Sequence, residues 1–333
     1  MFRYHSQPSR DNAYRDPKIE EMALEDLRSK KALIISSSGG HLLEAQLLAA
    51  LLDLSSDSLF VAHKNSQSVS LLSGRPHAFV KQIQSRDWVS MLMVAPSIYR
   101  LCRSKDYDFI ISTGAAIAIS ALPAHIFLRI PFYYFESLTR QRRPSFTGRI
   151  LELFSTVIRY SECAESFSKK WKKMPSILKL YSVEDKIFVS DNLKILVTVG
   201  TLPNFRFDRL IDNLLPALRP GDELYWQLGC TARRSLPGMT YEDIPNSQLM
   251  DIAKKCDVVI SHCGIGTILD LLSIGVRPLV CARLKSMKEH VDDHQFEAAE
   301  AFEKRNLVQV FSKELNRMDL ELAAKKQILS LER

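Results

Sequence analysis

The chain has 333 residues, which is enough for two domains of ordinary size, each with its own core. With 46% apolar and 25% charged residues, its composition excludes a disordered or fibrous protein. The net charge of +7 suits an anionic partner, but no recognition-helix motif or RNP-like aromatic pattern is present, so we expect no nucleic-acid partner.

Residues 1–30 are predicted to form a loose N-terminal arm, polar and of mixed charge. The arm lacks the apolar core of a signal peptide. The six cysteines include no Cys-x-x-Cys pair and no histidine at zinc-site spacing, which indicates reduced thiols. These features predict a cytoplasmic protein.

Strand-like and helical runs alternate over residues 31–188. Apolar runs predict strands at Ala32–Ile35, Ser58–Ala62, Phe79–Ile83, Phe109–Ser112, Phe132–Phe135 and Val157–Tyr160. Helical patterns lie between them, notably at Leu42–Leu52 and Val89–Arg103. Such alternation predicts a parallel sheet covered by helices.

One segment of this half, "GAAIAISALPAHIFLRIPFYYF" (114–135), is nearly apolar over a length that could cross a membrane. Because Pro123, His125, Arg129 and Pro131 interrupt it, we expect a buried helix followed by a strand.

A basic segment follows. Between Arg140 and Lys173 there are nine Lys or Arg and three Glu, so this segment carries a charge of +6. Aided by apolar residues such as Phe146 and Trp171, it favours peripheral binding to the cytoplasmic membrane surface. A solvated basic face is the alternative.

The alternation starts again in the second half, over residues 189–333, with a domain boundary near 185–192. Strands are predicted at Ile195–Val199, Glu223–Leu228, Val258–Ser261, Pro278–Cys281 and Leu307–Val310, and helices at Phe207–Leu218, Gln248–Lys255, Thr267–Ser273 and Asp292–Lys304. The fold class is therefore α/β, with two doubly wound Rossmann-like domains. Ligands in such folds bind beyond the carboxyl ends of the strands, in a cleft between the domains.

Glycine-rich turns follow three predicted strands: "SSSGGHLLEA" (36–45), "TVGT" (198–201) and "SHCGIGT" (261–267). At the last turn the N–H groups of Gly266, Thr267 and Ile268 would suit a diphosphate, and Asp270 would reach a ribose hydroxyl. Neither the Rossmann glycine spacing nor the Walker sequence is present, which argues against a dinucleotide dehydrogenase or an ATPase.

The stretch "KSMKEHVDDHQFEAAE" (285–300) carries many hydrogen-bonding groups at a predicted helix start. Its Asp292, Asp293, His294 and Gln295 are candidates for sugar hydroxyls, and the cations Arg283, Lys285 and Lys288 for an anionic sugar. His290 and His294, four residues apart, are a possible metal pair. We expect no metal, because no third ligand is evident and the aspartates also make plain helix caps.

The motifs "VTVGT" and "DVVISHCGIGTILDLLSIGVRPLVCARL...EHVDDHQFEAAE" resemble the nucleotide-sugar-binding subunit of the N-acetylglucosaminyltransferase that extends dolichol-linked N-acetylglucosamine. They are equally similar to bacterial exopolysaccharide glycosyltransferases of glycosyltransferase family 28. "SSGGHLLEA", "FIISTGAAIAISA" and "YYFESLTRQRRPSFTGRIL" resemble the membrane-associated partner subunit. The resemblance covers roughly residues 31–312 and implies a natural fusion of the two subunits with the GT-B fold.

The resemblance implies an inverting transfer from a UDP-sugar to a polyprenyl-diphosphate-linked sugar. His41 and Glu136 are the candidate bases, and His41 is preferred because histidine titrates near neutrality. Gly39, Gly40, Gly114 and Arg140 would bind the acceptor. The donor-binding candidates are Gly200, Thr201, His262, Gly264, Gly266, Thr267, Asp270, Arg283, Glu289, His290, Asp293, His294 and Gln295. No metal or other cofactor is implied, because the helix N-terminus takes the role of a metal.

Two departures from the family pattern stand out. Partner subunits commonly begin with a spanning helix that residues 1–30 cannot form, and Asp270 stands where the related lipid II synthase has a longer glutamate. The "EHVDDHQ" variant resembles exopolysaccharide glucuronosyltransferases, so we predict UDP-glucuronate as donor, with the neutral UDP-N-acetylglucosamine or UDP-galactose as alternatives. A UDP-sugar epimerase and a non-catalytic nucleotide-sugar-binding module are the competing function classes.

Overall fold

The computed structural model describes residues 24–83, 87–187, 190–233 and 235–330. Most of the predicted N-terminal arm, and residues 188 and 189 at the predicted domain boundary, lie outside the described residues.

A seven-stranded parallel sheet forms the first domain, in the order β3-β2-β1-β4-β5-β6-β7. Its strands are β1 (Ala32–Ile35), β2 (Leu59–His63), β3 (His77–Val80), β4 (Phe109–Ser112), β5 (Phe132–Phe135), β6 (Ile158–Ser161) and β7 (Trp171–Lys173). All six strands predicted here are confirmed, with small shifts of their bounds. The edge strand β7 was not predicted, because three residues between lysines carry almost no strand pattern.

Helices cover this sheet at α1 (Gly40–Leu51), α2 (Ser66–Leu71), α3 (Trp88–Ser104), α4 (Leu122–Leu128) and α5 (Phe146–Leu151). The apolar segment 114–135 folds as a 3-10 helix (Ala116–Ala121), then α4, then β5, which confirms the expected helix and strand. Within the described ranges, no helix is both long and apolar enough to cross a membrane.

The second domain repeats the arrangement with a six-stranded parallel sheet in the order β11-β10-β9-β12-β13-β14. Its strands are β9 (Lys194–Thr198), β10 (Glu223–Gln227), β11 (Met239–Tyr241), β12 (Val258–His262), β13 (Leu279–Cys281) and β14 (Gln309–Val310). Its helices are α6 (Asp208–Leu214), α7 (Asn246–Ala253), α8 (Ile265–Ser273), α9 (His294–Glu303) and α10 (Arg317–Ala324).

A two-stranded antiparallel ribbon links the two ends of the second domain. Strand β8 (Tyr181–Asp185), in the connection between the sheets, pairs with β15 (Lys326–Ser330). The predicted boundary falls between the two large sheets, but the ribbon shows that the connection is itself structured.

The two domains pack directly against each other. Apolar side chains of α1, such as Leu42 and Leu48, share one core with Ile268 and Leu272 of α8. At the cleft end of these helices, Gly40 lies so close to Ile265 and Gly266 that a Cβ at Gly40 would overlap the Ile265 side chain. The glycine turns of both domains therefore meet.

The second sheet has the same strand order as the first six strands of the first sheet. In both, the second and third strands lie on one side of the first strand, and the later strands lie on its other side. The switch points therefore lie between β1 and β4 and between β9 and β12. In open α/β sheets, the loops that follow such strands diverge and leave a ligand crevice. The glycine turns identified in the sequence follow β1, β9 and β12, so the fold places them at these crevices.

The basic segment from Arg140 to Lys173 is not one continuous surface. Arg159 is buried and donates hydrogen bonds to the carbonyl oxygens of Leu151 and Phe154, while Trp171 is only 2% exposed. The predicted contribution of Trp171 to membrane binding is therefore wrong, because its ring packs inside the domain against Tyr134 and Phe167. Phe146, in contrast, is half exposed. The six cysteines are all unpaired, in agreement with the prediction of reduced thiols.

Candidate active site

His41 lies at the start of α1, and its ring is held by the loop after β4. The Nδ1–H group donates to the carbonyl oxygen of Thr113 at 3.0 Å, and the Thr113 hydroxyl donates back to the His41 carbonyl at 2.7 Å. Gly114 makes this approach possible, because a Cβ there would lie 3.0 Å from Cε1 of His41. With Nδ1 as the donor, a neutral His41 keeps Nε2 unprotonated and able to accept a proton.

Glu44 is a buried carboxylate beside this histidine, with Oε2 3.5 Å from Nδ1 of His41. Its other oxygen accepts hydrogen bonds from the Ser137 hydroxyl at 2.8 Å and the Leu138 N–H at 3.1 Å. Burial lowers the pKa of His41, but the nearby Glu44 carboxylate, with the charge of Glu136, outweighs it and leaves the pKa above the ordinary value. Glu44 thus stabilises the protonated form of His41.

Glu136 follows β5 and is held by hydrogen bonds that it accepts. Its donors are the Ser145 N–H at 2.9 Å, the Ser137 N–H at 3.2 Å and the Tyr134 hydroxyl at 3.2 Å. Burial raises the pKa of Glu136, against the lowering effect of the hydrogen bonds from Ser145 and Ser137 and of the charge of Arg140. The carboxylate is therefore braced by backbone groups as well as placed in the cleft.

A cavity of about 510 Å³, here called the acceptor cavity, contains both candidate bases. His41, Glu136 and Arg140 line it, together with the apolar Met91 and Phe146 and with Asp292 from the second domain. Gly114, another predicted acceptor-binding residue, lies beside the His41 ring, as described above. Gly39 and Gly40 were also predicted to bind the acceptor, but Gly39 lines the neighbouring cavity and Gly40 packs on Gly266.

That neighbouring cavity, here called the donor cavity, has a volume of about 400 Å³ and lies beyond the carboxyl ends of β9, β10 and β12. Its lining includes seven predicted donor-binding residues: Gly200, Thr201, His262, Gly264, Gly266, Thr267 and Asp270. The Gly39–His41 turn thus reaches both cavities, with Gly39 on the donor side and His41 on the acceptor side.

His262 is held between two of these glycines. A Cβ at Gly200 would lie 2.8 Å from Nε2 of His262, and a Cβ at Gly264 would overlap the same atom. Burial lowers the pKa of His262 to about 4, helped by the positive charge of Arg283. The ring is therefore neutral near pH 7, and both glycines are needed to accommodate it.

The first turn of α8 presents its backbone to the donor cavity. Gly264 is the N-cap residue and has no side chain that can satisfy the first N–H groups, so those of Gly266 and Thr267 can bind a ligand. The N–H of Ile268 was predicted to join them, but it donates to the carbonyl oxygen of Gly264 at 3.0 Å inside the helix. The prediction for Ile268 is therefore wrong.

Asp270 lies on the buried side of α8 and accepts a hydrogen bond from Asn246 at 3.0 Å. Burial raises the pKa of Asp270 to about 6, although the Asn246 amide lowers it. A buried carboxylate at the wall of a polar cavity is suited to accept hydrogen bonds from a vicinal diol.

Arg283 and Glu289 are structural, in contrast to their predicted contact with the donor. The Arg283 guanidinium is 1% exposed and donates to the carbonyl oxygens of Val199, Phe205 and Glu289 at 2.6, 2.7 and 2.9 Å. Glu289 pairs with Arg209, with nitrogen to oxygen distances of 2.9 and 2.7 Å. Because both side chains are buried and bonded to other parts of the domain, they are not presented to a sugar in either cavity. Lys285 and Lys288 are exposed.

The remaining donor-binding candidates lie in the loop before α9 or in the first turn of α9. The buried Gln295 accepts a hydrogen bond from the Arg283 N–H at 3.2 Å, and Asp293 accepts one from the Lys285 N–H at 2.9 Å. His290 and His294 both contact Asp292, and burial lowers the pKa of His294 despite this carboxylate. His290 precedes α9, so the two histidines are not on one helical face as predicted.

Sequence reasoning missed Glu44 and Asn246. Glu44 lies three residues after His41, a spacing that puts both side chains on one helical face, and this signal was available. Asn246 is distant from Asp270 in sequence, and only the packing of α7 against α8 brings the two together.

Comparisons with known proteins agree with this architecture. Residues 194–329 match the model of the Glycosyltransferase family 28 C-terminal domain. The chain is 40% identical over 75 residues to UDP-N-acetylglucosamine transferase subunit ALG13 of Yarrowia lipolytica; this match covers 22% of the chain and 34% of the relative, about a third of the relative's length.

Similar solved structures extend over most of the chain. MurG of Acinetobacter baumannii aligns with a TM-score of 0.50 and 17% identity, covering 88% of this chain and 89% of that one. Arabidopsis thaliana UGT89C1, solved in complex with UDP-L-rhamnose, aligns with a TM-score of 0.53 and 11% identity, covering 89% and 90%. The chain therefore has the two-domain GT-B fold, and its residues 194–329 are similar to the glycosyltransferase family 28 C-terminal domain.

Proposed function

We propose that this chain is an inverting glycosyltransferase that moves a sugar from a UDP-sugar to a polyprenyl-diphosphate-linked sugar. The observation that carries the proposal is the pair of adjoining cavities. The donor cavity has an anion-binding helix start and a buried carboxylate, and the acceptor cavity contains a histidine with an available ring nitrogen. Group transfer requires two substrates to be bound side by side, and two adjoining cavities allow this.

The donor half would bind the nucleotide. The N–H groups of Gly266 and Thr267 would bind the diphosphate and stabilise the negative charge that develops on the leaving UDP. Asp270, positioned by Asn246, would accept hydrogen bonds from the ribose hydroxyls. A neutral His262 would complete the wall without repelling or attracting charge.

The acceptor half would supply the base. As the acceptor oxygen forms its bond to the anomeric carbon, the bond from that carbon to the diphosphate oxygen breaks, and the hydroxyl proton passes to Nε2 of His41. Thr113 fixes the ring through Nδ1, and Glu44 stabilises the imidazolium that results. Glu136 already accepts three hydrogen bonds, so it fits better as a group that orients the acceptor than as the base.

A neutral donor of the UDP-N-acetylglucosamine kind is the better supported choice. The prediction of UDP-glucuronate came from the EHVDDHQ resemblance, with Arg283, Lys285 and Lys288 as possible partners for the carboxylate. Of these three cations, the Arg283 guanidinium is buried among carbonyl oxygens. The curated relative is named as a UDP-N-acetylglucosamine transferase subunit. Glucuronate is therefore retained as the competing donor in the experiment.

A lipid-linked acceptor and a peripheral position on the cytoplasmic membrane face are supported by the surroundings of the acceptor cavity. Met91 and Phe146 line the cavity, and three apolar side chains near the start of α3 are exposed to solvent: Val89, Leu92 and Met93. An exposed apolar face beside a binding cavity is typical of a membrane contact.

The test supplies the purified chain with N-acetylglucosaminyl- or glucosyl-diphospho-polyprenol and each UDP-sugar in turn, and measures UDP release and the mass of the lipid. A transferase releases UDP only when donor and acceptor are both present. Conversion of the UDP-sugar without lipid would identify an epimerase, and UDP-sugar binding without turnover in any combination would identify a non-catalytic module. Use of UDP-glucuronate but not UDP-N-acetylglucosamine would overturn the choice of donor alone.

A further inference from the structure

The loop between β13 and α9 brings together three side chains of the kind that bind metals. His290, Asp292 and His294 each place one ligand atom within 4.8 Å of the others. Oδ1 of Asp292 lies 3.2 Å from Nδ1 of His290 and also contacts Nδ1 of His294. Two ligands of one tetrahedral ion, with bonds of about 2.0–2.2 Å, lie roughly 3.3 Å apart. Small adjustments therefore allow the three atoms to share one ion.

The residues on either side of this cluster are fixed by other parts of the domain. Glu289, next to His290, is paired with Arg209 and accepts the Leu284 N–H. Gln295, next to His294, accepts the Arg283 N–H. Such anchoring limits the freedom of the loop and reduces the entropy that metal binding would cost.

We propose that His290, Asp292 and His294 form a binding site for a divalent first-row transition metal ion. Two imidazoles and one carboxylate suit zinc, cobalt or iron, whereas magnesium and calcium prefer oxygen ligands. No metal was predicted from the sequence because no third ligand was evident. In the proposed site, Asp292 is the third ligand. Asp292 also lines the acceptor cavity, so the proposed site borders that cavity.

Arg140 opposes cation binding, since its positive charge acts on both Asp292 and His294. The affinity of the site for a metal ion therefore depends on the attraction of the three ligands and on the repulsion by Arg140. The proposal does not depend on transferase activity, and its test measures metal binding alone.

The experiment adds Co²⁺ to the full chain after dialysis against a chelator, and follows the visible absorption bands of the bound ion; Zn²⁺ is then used as the competitor. We expect one ion per chain, displaced by Zn²⁺ but not by a large excess of Mg²⁺. Asp292→Asn and His294→Ala should each weaken binding by more than about 100-fold, since even outer-shell partners are worth 10–100-fold.

Asp293→Asn is the matched control, because it changes the adjacent carboxylate and keeps the acceptor for the Lys285 N–H. It should leave the affinity within about threefold. Circular dichroism confirms that each variant is folded. The proposal is overturned if the wild-type chain binds no stoichiometric ion, or if Asp293→Asn weakens binding as much as Asp292→Asn.

Discussion

Oε2 of Glu44 lies 3.5 Å from Nδ1 of His41, one turn further along the same helix. The same carboxylate accepts hydrogen bonds from Ser137 and Leu138, which follow β5. A single buried acid thus connects the ring of the proposed base to a loop that borders the acceptor cavity. Replacement of Glu44 should therefore change both the pKa of His41 and the position of the loop after β5.

Replacing Glu44 by Gln should lower activity and move the acidic limb of the pH–rate profile to lower pH. The base acts when neutral, so activity is lost as the pH falls through the pKa of His41. Glu44 raises that pKa, and the amide removes the charge that does so while it keeps an acceptor for Ser137. The profile of kcat/KM against pH measures the shift.

The controls for Glu44 are His41→Ala and Glu25→Gln. His41→Ala should reduce kcat by about 10²- to 10⁴-fold, the usual range for loss of a general base. Glu25 is exposed, so its neutralisation should leave the profile unchanged. An acidic limb that stays in place in Glu44→Gln would show that His41 is not the titrating base.

Gly264→Ala should weaken UDP binding through His262 rather than through the backbone. The backbone at Gly264 is extended with φ −81°, which alanine adopts without strain, but the added Cβ would overlap the His262 ring. Calorimetry with UDP measures the loss. In the double variant His262→Ala/Gly264→Ala the clash is gone, so the two changes should be strongly non-additive. Additive losses would show that the substitution at Gly264 does not act through the His262 ring.

Asp270→Asn should make the protein more stable at neutral pH and less able to bind UDP. The folded-state pKa of about 6 is higher than the ordinary 3.8, so the folded state holds its proton more tightly. Stability is then highest below about pH 4 and is lost as the pH rises through about 6, by up to roughly 3 kcal/mol.

The asparagine removes this cost, so denaturant unfolding should depend less on pH between 4 and 7. UDP affinity should fall about tenfold or more, since a charge-assisted hydrogen bond is lost. Asp251→Asn, on the exposed side of α7, serves as the control. Unchanged UDP affinity in Asp270→Asn would remove Asp270 from the nucleotide site.

Leu92→Asn combined with Met93→Ser should reduce binding to liposomes that contain anionic lipid. These side chains are 74% and 59% exposed, and burying each in the membrane interface would be worth about 1.5–3 kcal/mol. We therefore expect a fall in partitioning of tenfold or more in a sedimentation assay. Met318→Ser, an equally exposed apolar position in the second domain, should have no effect. Activity on a short, water-soluble acceptor should be retained.

The two-sheet architecture follows from local sequence patterns. Continuous apolar runs such as those of β1, β4 and β5 can only be buried between helix layers, so their positions were predicted to the residue. The glycine turns after β1, β9 and β12 marked the cleft, because close backbone approach requires glycine wherever it occurs. These signals are local, so they can be recognised in the sequence without knowing which segments pack together in the fold.

Which polar groups are free to bind a ligand depends on contacts that form only in the folded chain. Arg283 and Asp270 were both predicted to contact the donor, yet one is enclosed by carbonyl oxygens from distant segments and the other borders a cavity. Strand β8 exists because β15 pairs with it, across more than 140 residues of chain. Hydrogen-bond partners and strand pairing depend on segments that meet only after folding, so no local pattern specifies them.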